Sequence, residues 1–283
     1  MRWERVDDVR EEASGAVRRG RRPSEGASAR PTPTDRPGKG GRPGAKGRKD
    51  APAPSDEVAP TKSRRGREFR EAGAGTGGAS AKAELVSALG STRGARANER
   101  LREAAHAFER ERFEESRSLL RPIAQQAPQA TAVRELLGLT YYRLGRWSDT
   151  VRELEAFRTM TGSTEQHPVL ADAYRGLGRH REVEDLWDDL REASPAGDLV
   201  TEGRIVMAGS FADRGRLAEA ITLLEKSQRN VKRPQVHHLR QGYALADLYE
   251  RAGDAARARE LFRWVVDHEP AFADAAERAG SLG

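Results

Sequence analysis

LGLTYYRLGRWSDT, residues 137–150, is the stretch that decides the fold. Leu137, Tyr141 and Leu144 recur at helical spacing up to Gly145, and a second apolar-periodic segment starts directly after it. A glycine at such a junction permits the left-handed backbone that ends one helix and turns the chain tightly into the next. The same setting returns three times, as YRGLGRH around Gly178, FADRGRL around Gly215 and YERAGDA around Gly253, at intervals of 33, 37 and 38 residues. Ser148, Asp149 and Asp254 stand where a side chain would cap the helix that follows. The reading is a series of helical hairpins of roughly constant length.

Around these turns the apolar positions repeat in phase: Leu137-Gly138 with Tyr141, Leu170-Ala171 with Tyr174, Met207-Ala208 with Phe211, and Leu245-Ala246 with Tyr249. The following helices supply Val183 with Trp187, Ala220 with Leu224 and Ala258 with Phe262, closed by Pro195 and Pro270. Residues 97–130 read as a worn first copy, in which Ala104, Phe108, Phe113, Ser116, Leu120 and Pro128 fit while Glu111 stands in the turn-glycine slot. Size, turn glycine, small residue and proline agree in phase, and the set resembles the tetratricopeptide repeat (TPR) family over residues 97–270. The tryptophan that opens the family pattern is missing: Arg100, Arg134, His167, Arg204 and Gly242 take its place.

The expected fold is therefore all-α, an α-solenoid of about five hairpins behind a long disordered N-terminal tail. The repeats are placed at 97–130, 131–163, 164–200, 201–238 and 239–270, with a terminal helix in 271–283 and Leu85 and Leu89 covering the other end. A single hairpin cannot bury its apolar face, so stability has to come from stacking. Gly138, Ala171, Ala208 and Ala246 allow close helix approach. Residues 196–200 and 230–237 exceed the period and are expected as lengthened loops.

Charge divides the chain. The net charge of the whole is +6, but residues 1–80 carry 19 basic and 12 acidic side chains, whereas residues 81–283 are nearly neutral at −1. Residues 18–70 hold 16 basic and 6 acidic residues among Gly, Pro, Ser and Ala, with too little apolar area to offset chain entropy. Arg18, Arg19, Arg21, Arg22, Lys39, Arg42, Lys46, Arg48, Lys49, Arg64, Arg65, Arg67 and Arg70 are the candidate polyanion-binding side chains of this tail. A solubilising linker has the same composition, and with Phe69 the single aromatic among residues 18–70 no series of aromatics is interleaved to stack on bases. Trp3, Val6, Val9 and Ala13 lie at helical spacing, which fits a partner-docking helix, a frayed fragment or a misplaced start. Arginine outnumbers lysine 43 to 7, as a high-GC bacterial coding bias would produce.

No chemistry-bearing motif stands out. Gly73, Gly75 and Gly78 satisfy G-x-G-x-x-G, but no strand precedes them, and Ala79-Ser80 replaces the Lys-Ser/Thr of a phosphate loop. The six histidines form no ligand pair, and the adjacent His237 and His238 diverge by about 100° on a helix. Cysteine is absent, so thiolate metal sites and disulfides are excluded. The acidic cluster Glu182, Glu184, Asp185, Asp188 and Asp189 reads as the solvated face of an amphipathic helix. The expectation is a non-enzyme without metal or cofactor. The acidic start and the lack of a long apolar run make a cytoplasmic protein without a membrane span the expectation.

What the TPR resemblance implies is binding, through a concave groove lined by the first helix of each hairpin. Carrying the phase onto that face nominates Glu135, Leu139, Tyr142, Arg143, Asp172, Arg175, Asp213, Tyr243, Asp247 and Glu250, with Tyr142 and Tyr243 as aromatic anchors. The resemblance also implies no clamp for chaperone C-terminal carboxylates, because Leu101, Glu135, Ala105 and Leu139 occupy its basic and asparagine slots. The expected role is an adaptor that binds a protein partner while the tail acts as an electrostatic tether. The alternative is an RNA- or ribosome-associated factor acting through the tail. Partner identity and oligomeric state stay open.

Overall fold

The computed structural model describes residues 77–282 apart from 194, 228–230 and 232, and these fold into twelve helices with no strand among them. They are α1 (Gly77–Leu89), α2 (Ser91–Glu109), α3 (Phe113–Gln126), α4 (Thr131–Arg143), α5 (Trp147–Thr161) and α6 (His167–Gly176). Then come α7 (His180–Ala193), α8 (Gly197–Asp213), α9 (Leu217–Glu225), α10 (Val236–Arg251), α11 (Ala255–His268) and α12 (Ala275–Ser281). The pairs α2/α3, α4/α5, α6/α7, α8/α9 and α10/α11 are five hairpins, with α1 and α12 covering the two ends.

The turns are one device used five times. Gly145 and Gly178 have φ of 67° and 71°, and Gly215 and Gly253 repeat this at 76° and 81°. In each, the residue after the turn donates its N–H back to the carbonyl five residues earlier: Arg146 to Tyr141, Arg179 to Tyr174, Arg216 to Phe211 and Asp254 to Tyr249, at 2.8–2.9 Å. These bonds satisfy carbonyls that the end of a helix would otherwise leave open. The first hairpin makes the same closure, Arg112 to Ala107 at 2.9 Å, with Glu111 at φ 61°. Glu111 therefore does the glycine's work in a conformation disfavoured for a residue with a Cβ.

Close approach explains the small residues. A Cβ on Gly138 would lie 2.5 Å from Leu154 Cδ2, and Leu154 is itself fully buried. Ala171, Ala208 and Ala246 are buried at the same phase of α6, α8 and α10. First helices of successive hairpins touch one another, α2 with α4, α4 with α6, α6 with α8 and α8 with α10. Each second helix packs on its own first helix and on the first helix of the next hairpin. The first helices therefore form the inner layer and the second helices the outer one.

Several boundaries differ from the sequence reading. Residues 196–200 form no loop: α8 begins at Gly197, and Leu199 and Val200 pack against the core of the third hairpin, so apolar burial extends the helix. At the other interval, Gln235 and His238 form a reciprocal cap at the start of α10, so residues 236 and 237, expected in the loop, are helical. Ser148 and Asp149 do not cap α5. The turn leads straight into Trp147, so both fall inside the first helical turn, and Asp149 binds Arg146 and Arg152 instead, each at 2.5 Å. Asp254 does cap α11, accepting from the Arg257 N–H at 3.1 Å. Helix α1 starts at Gly77, ahead of the expected boundary at 81, and α2 starts six residues before 97 because Gly94 permits contact with the α1 backbone.

Candidate functional site

The inner layer carries the residues nominated for partner binding, and their side chains fall into three groups. On α4, the Glu135 carboxylate accepts from Gln166 Nε2 at 2.7 Å. Burial pushes its pKa above the ordinary carboxylate value, against the lowering effect of that bond. Tyr142, 3% exposed, donates its hydroxyl to Asp172 Oδ2 at 2.7 Å. The other Asp172 oxygen accepts from Arg175 Nη1 at 3.0 Å, and Arg175 Nε reaches Asp213 Oδ2 at 2.6 Å. One chain of bonds thus runs across α4, α6 and α8.

A second chain closes the far end. Arg278 of α12 donates to Asp247 at 2.7 Å, to Glu250 at 2.6 Å and to the Tyr243 hydroxyl at 3.0 Å, while Tyr243 also bonds Asp274. The guanidinium lies 4.5 Å from the centre of the Phe262 ring. Tyr243 is 2% exposed. Neither tyrosine offers a surface to a partner, and the aromatic-anchor expectation is corrected for both: each ring is core, and each hydroxyl is held by the next hairpin or the cap.

Leu139 and Arg143 are the third group. They stand one helical turn apart on α4, both half-buried. The Arg143 guanidinium lies 4.5 Å from the Phe113 ring centre, and its buried Nε makes no hydrogen bond among the described residues. Of the ten nominated residues, eight are engaged by bonds within the stack and these two keep unused capacity. Leu101, in a slot of the carboxylate clamp, is buried.

Gln166, Gly209, Asp274, Arg278 and the buried Arg240–Glu202 ion pair at 2.9 Å were missed in the sequence. Gly209 matters because a Cβ there would sit 2.8 Å from Arg175 Cζ, on the path the guanidinium takes to Asp213. A signal did exist. The bonded pairs 135/166, 142/172, 175/213, 202/240, 243/274 and 247/278 are 30–38 residues apart, which is the repeat period. Polar residues one period apart on first helices become neighbours across the inner layer. The tail cations Arg18 to Arg70, the segment from Trp3 to Ala13, and Gly73 and Gly75 lie outside the described residues.

Among the described residues no group of three or more His, Asp or Glu side chains is placed to hold a metal ion, and no helix is long and apolar enough to cross a membrane. The arrangement can offer paired charges and the half-buried Leu139 side chain to another macromolecule.

These hairpins define the class: the fold is a tetratricopeptide-type α-solenoid. Among solved structures, a thermophilic TPR protein of Thermus thermophilus matches with a TM-score of 0.51 at 17% identity, covering 66% of this chain and 98% of that one. A variant of the Podosopora anserina putative kinesin light chain nearly identical TPR-like repeats matches with a TM-score of 0.50 at 20% identity, covering 65% and 97%. No protein-family model and no curated protein matches the sequence.

Proposed function

We propose that the chain is a non-catalytic adaptor whose solenoid binds a protein partner on its inner layer, centred on α4. The observation that carries this reading is the Leu139–Arg143 pair. It joins half-buried apolar surface to a guanidinium that makes no ion pair among the described residues, in a layer where the other nominated polar side chains are bonded to one another. A segment that laid an apolar side chain on Leu139 and a carboxylate against the half-buried Arg143 guanidinium would engage both. Full-length protein and its Leu139→Glu/Arg143→Glu variant, compared by affinity purification with quantitative mass spectrometry, test it. Co-purifying proteins should be lost from the variant while its helicity and melting are retained. An unchanged set of partners overturns this placement.

The charge division favours a second reading, in which residues 18–70 engage RNA or another polyanion. RNA affinity of the full chain should then fall steeply with salt, with a log–log slope of about −0.7 per phosphate neutralised. A slope near zero rejects it.

A further inference from the structure

On the outer side of the stack, where α5 ends and α6 and α7 meet it, lies an open depression lined by Glu155, Arg158, Thr159, Thr164, His167, Asp189 and Glu192. Three carboxylates face one guanidinium there. Arg158 bridges Asp189 at 2.7 Å and Glu155 at 3.5 Å, so the site already accommodates one guanidinium and still carries two negative charges in excess. Arg191, the next cation along α7, is paired with Asp188 at 3.1 Å. Glu192 is exposed and has no ion-pair partner among the described residues.

His167 forms the inner wall, with 4% of its side chain exposed. Its ring makes no hydrogen bond among the described residues: Asp189 Oδ2 stands 3.8 Å from Nε2, beyond bonding range. Burial, reinforced by the charge of Arg158, lowers its pKa to about 4, so the ring is neutral at physiological pH and offers an acceptor nitrogen. Excess carboxylate charge, threonine hydroxyls and a neutral imidazole that lines the depression together fit an incoming N–H cation.

We propose that this depression docks an arginine side chain from the chain's own residues 18–70. Charge complementarity selects that segment, since the basic excess of the protein lies there while the rest of the chain is nearly neutral. Connectivity allows it. Helix α1, to which the segment is joined, packs on α4, the partner of α5. The depression is thus two to three helix widths from Gly77, about 20–30 Å at the usual spacing of packed helices. Ten extended residues span about 35 Å, so basic residues upstream of Lys62 reach it. Docking would withhold part of the basic segment from other polyanions.

The absence of cysteine permits clean labelling of full-length protein. Ser55→Cys and the exposed Thr161→Cys, beside the depression, would carry a donor and an acceptor for single-molecule energy transfer. A high-transfer population is expected at low salt, lost in 1 M NaCl. Glu192→Lys and His167→Phe should each abolish it, and Glu192→Lys disturbs no described ion pair. Glu260→Lys, the same charge change at an exposed site on α11, should leave the population intact. Absence of that population, equal loss in Glu260→Lys, or survival in Glu192→Lys overturns the proposal. Transfer between singly labelled chains mixed at equal concentration overturns it too, assigning the contact to a second copy.

Discussion

Glu111→Gly removes an isolated backbone cost, and the structure allows its size to be worked out. The residue sits at φ 61° in the same closure that Gly145 makes at φ 67°. Its side chain is exposed and makes no bond among the described residues. At Gly145 a Cβ would meet no atom within 4 Å, so substitution there changes backbone preference and little else. Holding an L-residue in the left-handed region costs roughly 1–2 kcal/mol. Glycine's extra freedom in the unfolded chain takes back roughly 0.5–1 kcal/mol. Glu111→Gly should therefore stabilise by about 0.5–1 kcal/mol, and Gly145→Ala should destabilise by about the same amount. For a stack of this size the melting shifts are about 1–4 °C, in opposite directions. Urea unfolding followed by circular dichroism should move the midpoint without changing the slope. Hydrogen exchange in α2 and α3 should slow with Glu111→Gly, since the first hairpin holds the relieved turn. Destabilisation by Glu111→Gly together with a neutral Gly145→Ala would refute the reasoning.

Tyr142→Phe deletes a buried bond to the Asp172 carboxylate and should cost about 1.5–3 kcal/mol in urea unfolding; unchanged stability with weakened partner binding would return Tyr142 to the role of surface anchor. Gly138→Ala should cost about 1–3 kcal/mol by overpacking Leu154, and Gly138→Ala/Leu154→Ala should be less destabilised than the sum of the two single changes. Arg240→Met should cost about 3–5 kcal/mol by stranding Glu202, whereas Arg240→Met/Glu202→Met should recover much of that loss. His167 has a folded-state pKa near 4 against 6.5 for the free group, so the unfolded chain binds the extra proton first and stability falls as pH drops from about 6.5 to 4. The loss amounts to at most about 3 kcal/mol, and the stability difference between wild type and His167→Phe should change across that window.

The fold was legible because the repeat signals are local. Gly178 and Gly215 mark their turns within six residues of the apolar positions they serve, and the phase they set located even the glycine-free turn at Glu111. The boundaries that escaped were those settled by burial: Leu199 and Val200 join α8 because the third hairpin offers them apolar contact, which their neighbours in the chain do not reveal. The candidate site was half legible. Phase put Tyr142 and Tyr243 at the right places on α4 and α10. Whether an aromatic at such a place faces solvent or core depends on what the next hairpin brings beneath it, and here Asp172, Asp274 and Arg278 bring bonding partners.

By itself the sequence determined the all-helical hairpin repeat, its turns and the separation of charge between residues 1–80 and the rest, because each of these is written at a spacing of a few residues or in bulk composition; the count of hairpins and the bounds of their helices came from the structure. Only the tertiary structure decided which polar side chains spend their bonds inside the stack and which keep them. Arg175 is held by Asp213 from the next first helix and Arg278 locks Asp247 and Glu250 from the cap, while Arg143 Nε remains without a hydrogen-bond partner among the described residues. The physical reason is that bonding capacity is consumed between hairpins, by residues one repeat period apart, and such pairs acquire their distances only when the hairpins stack.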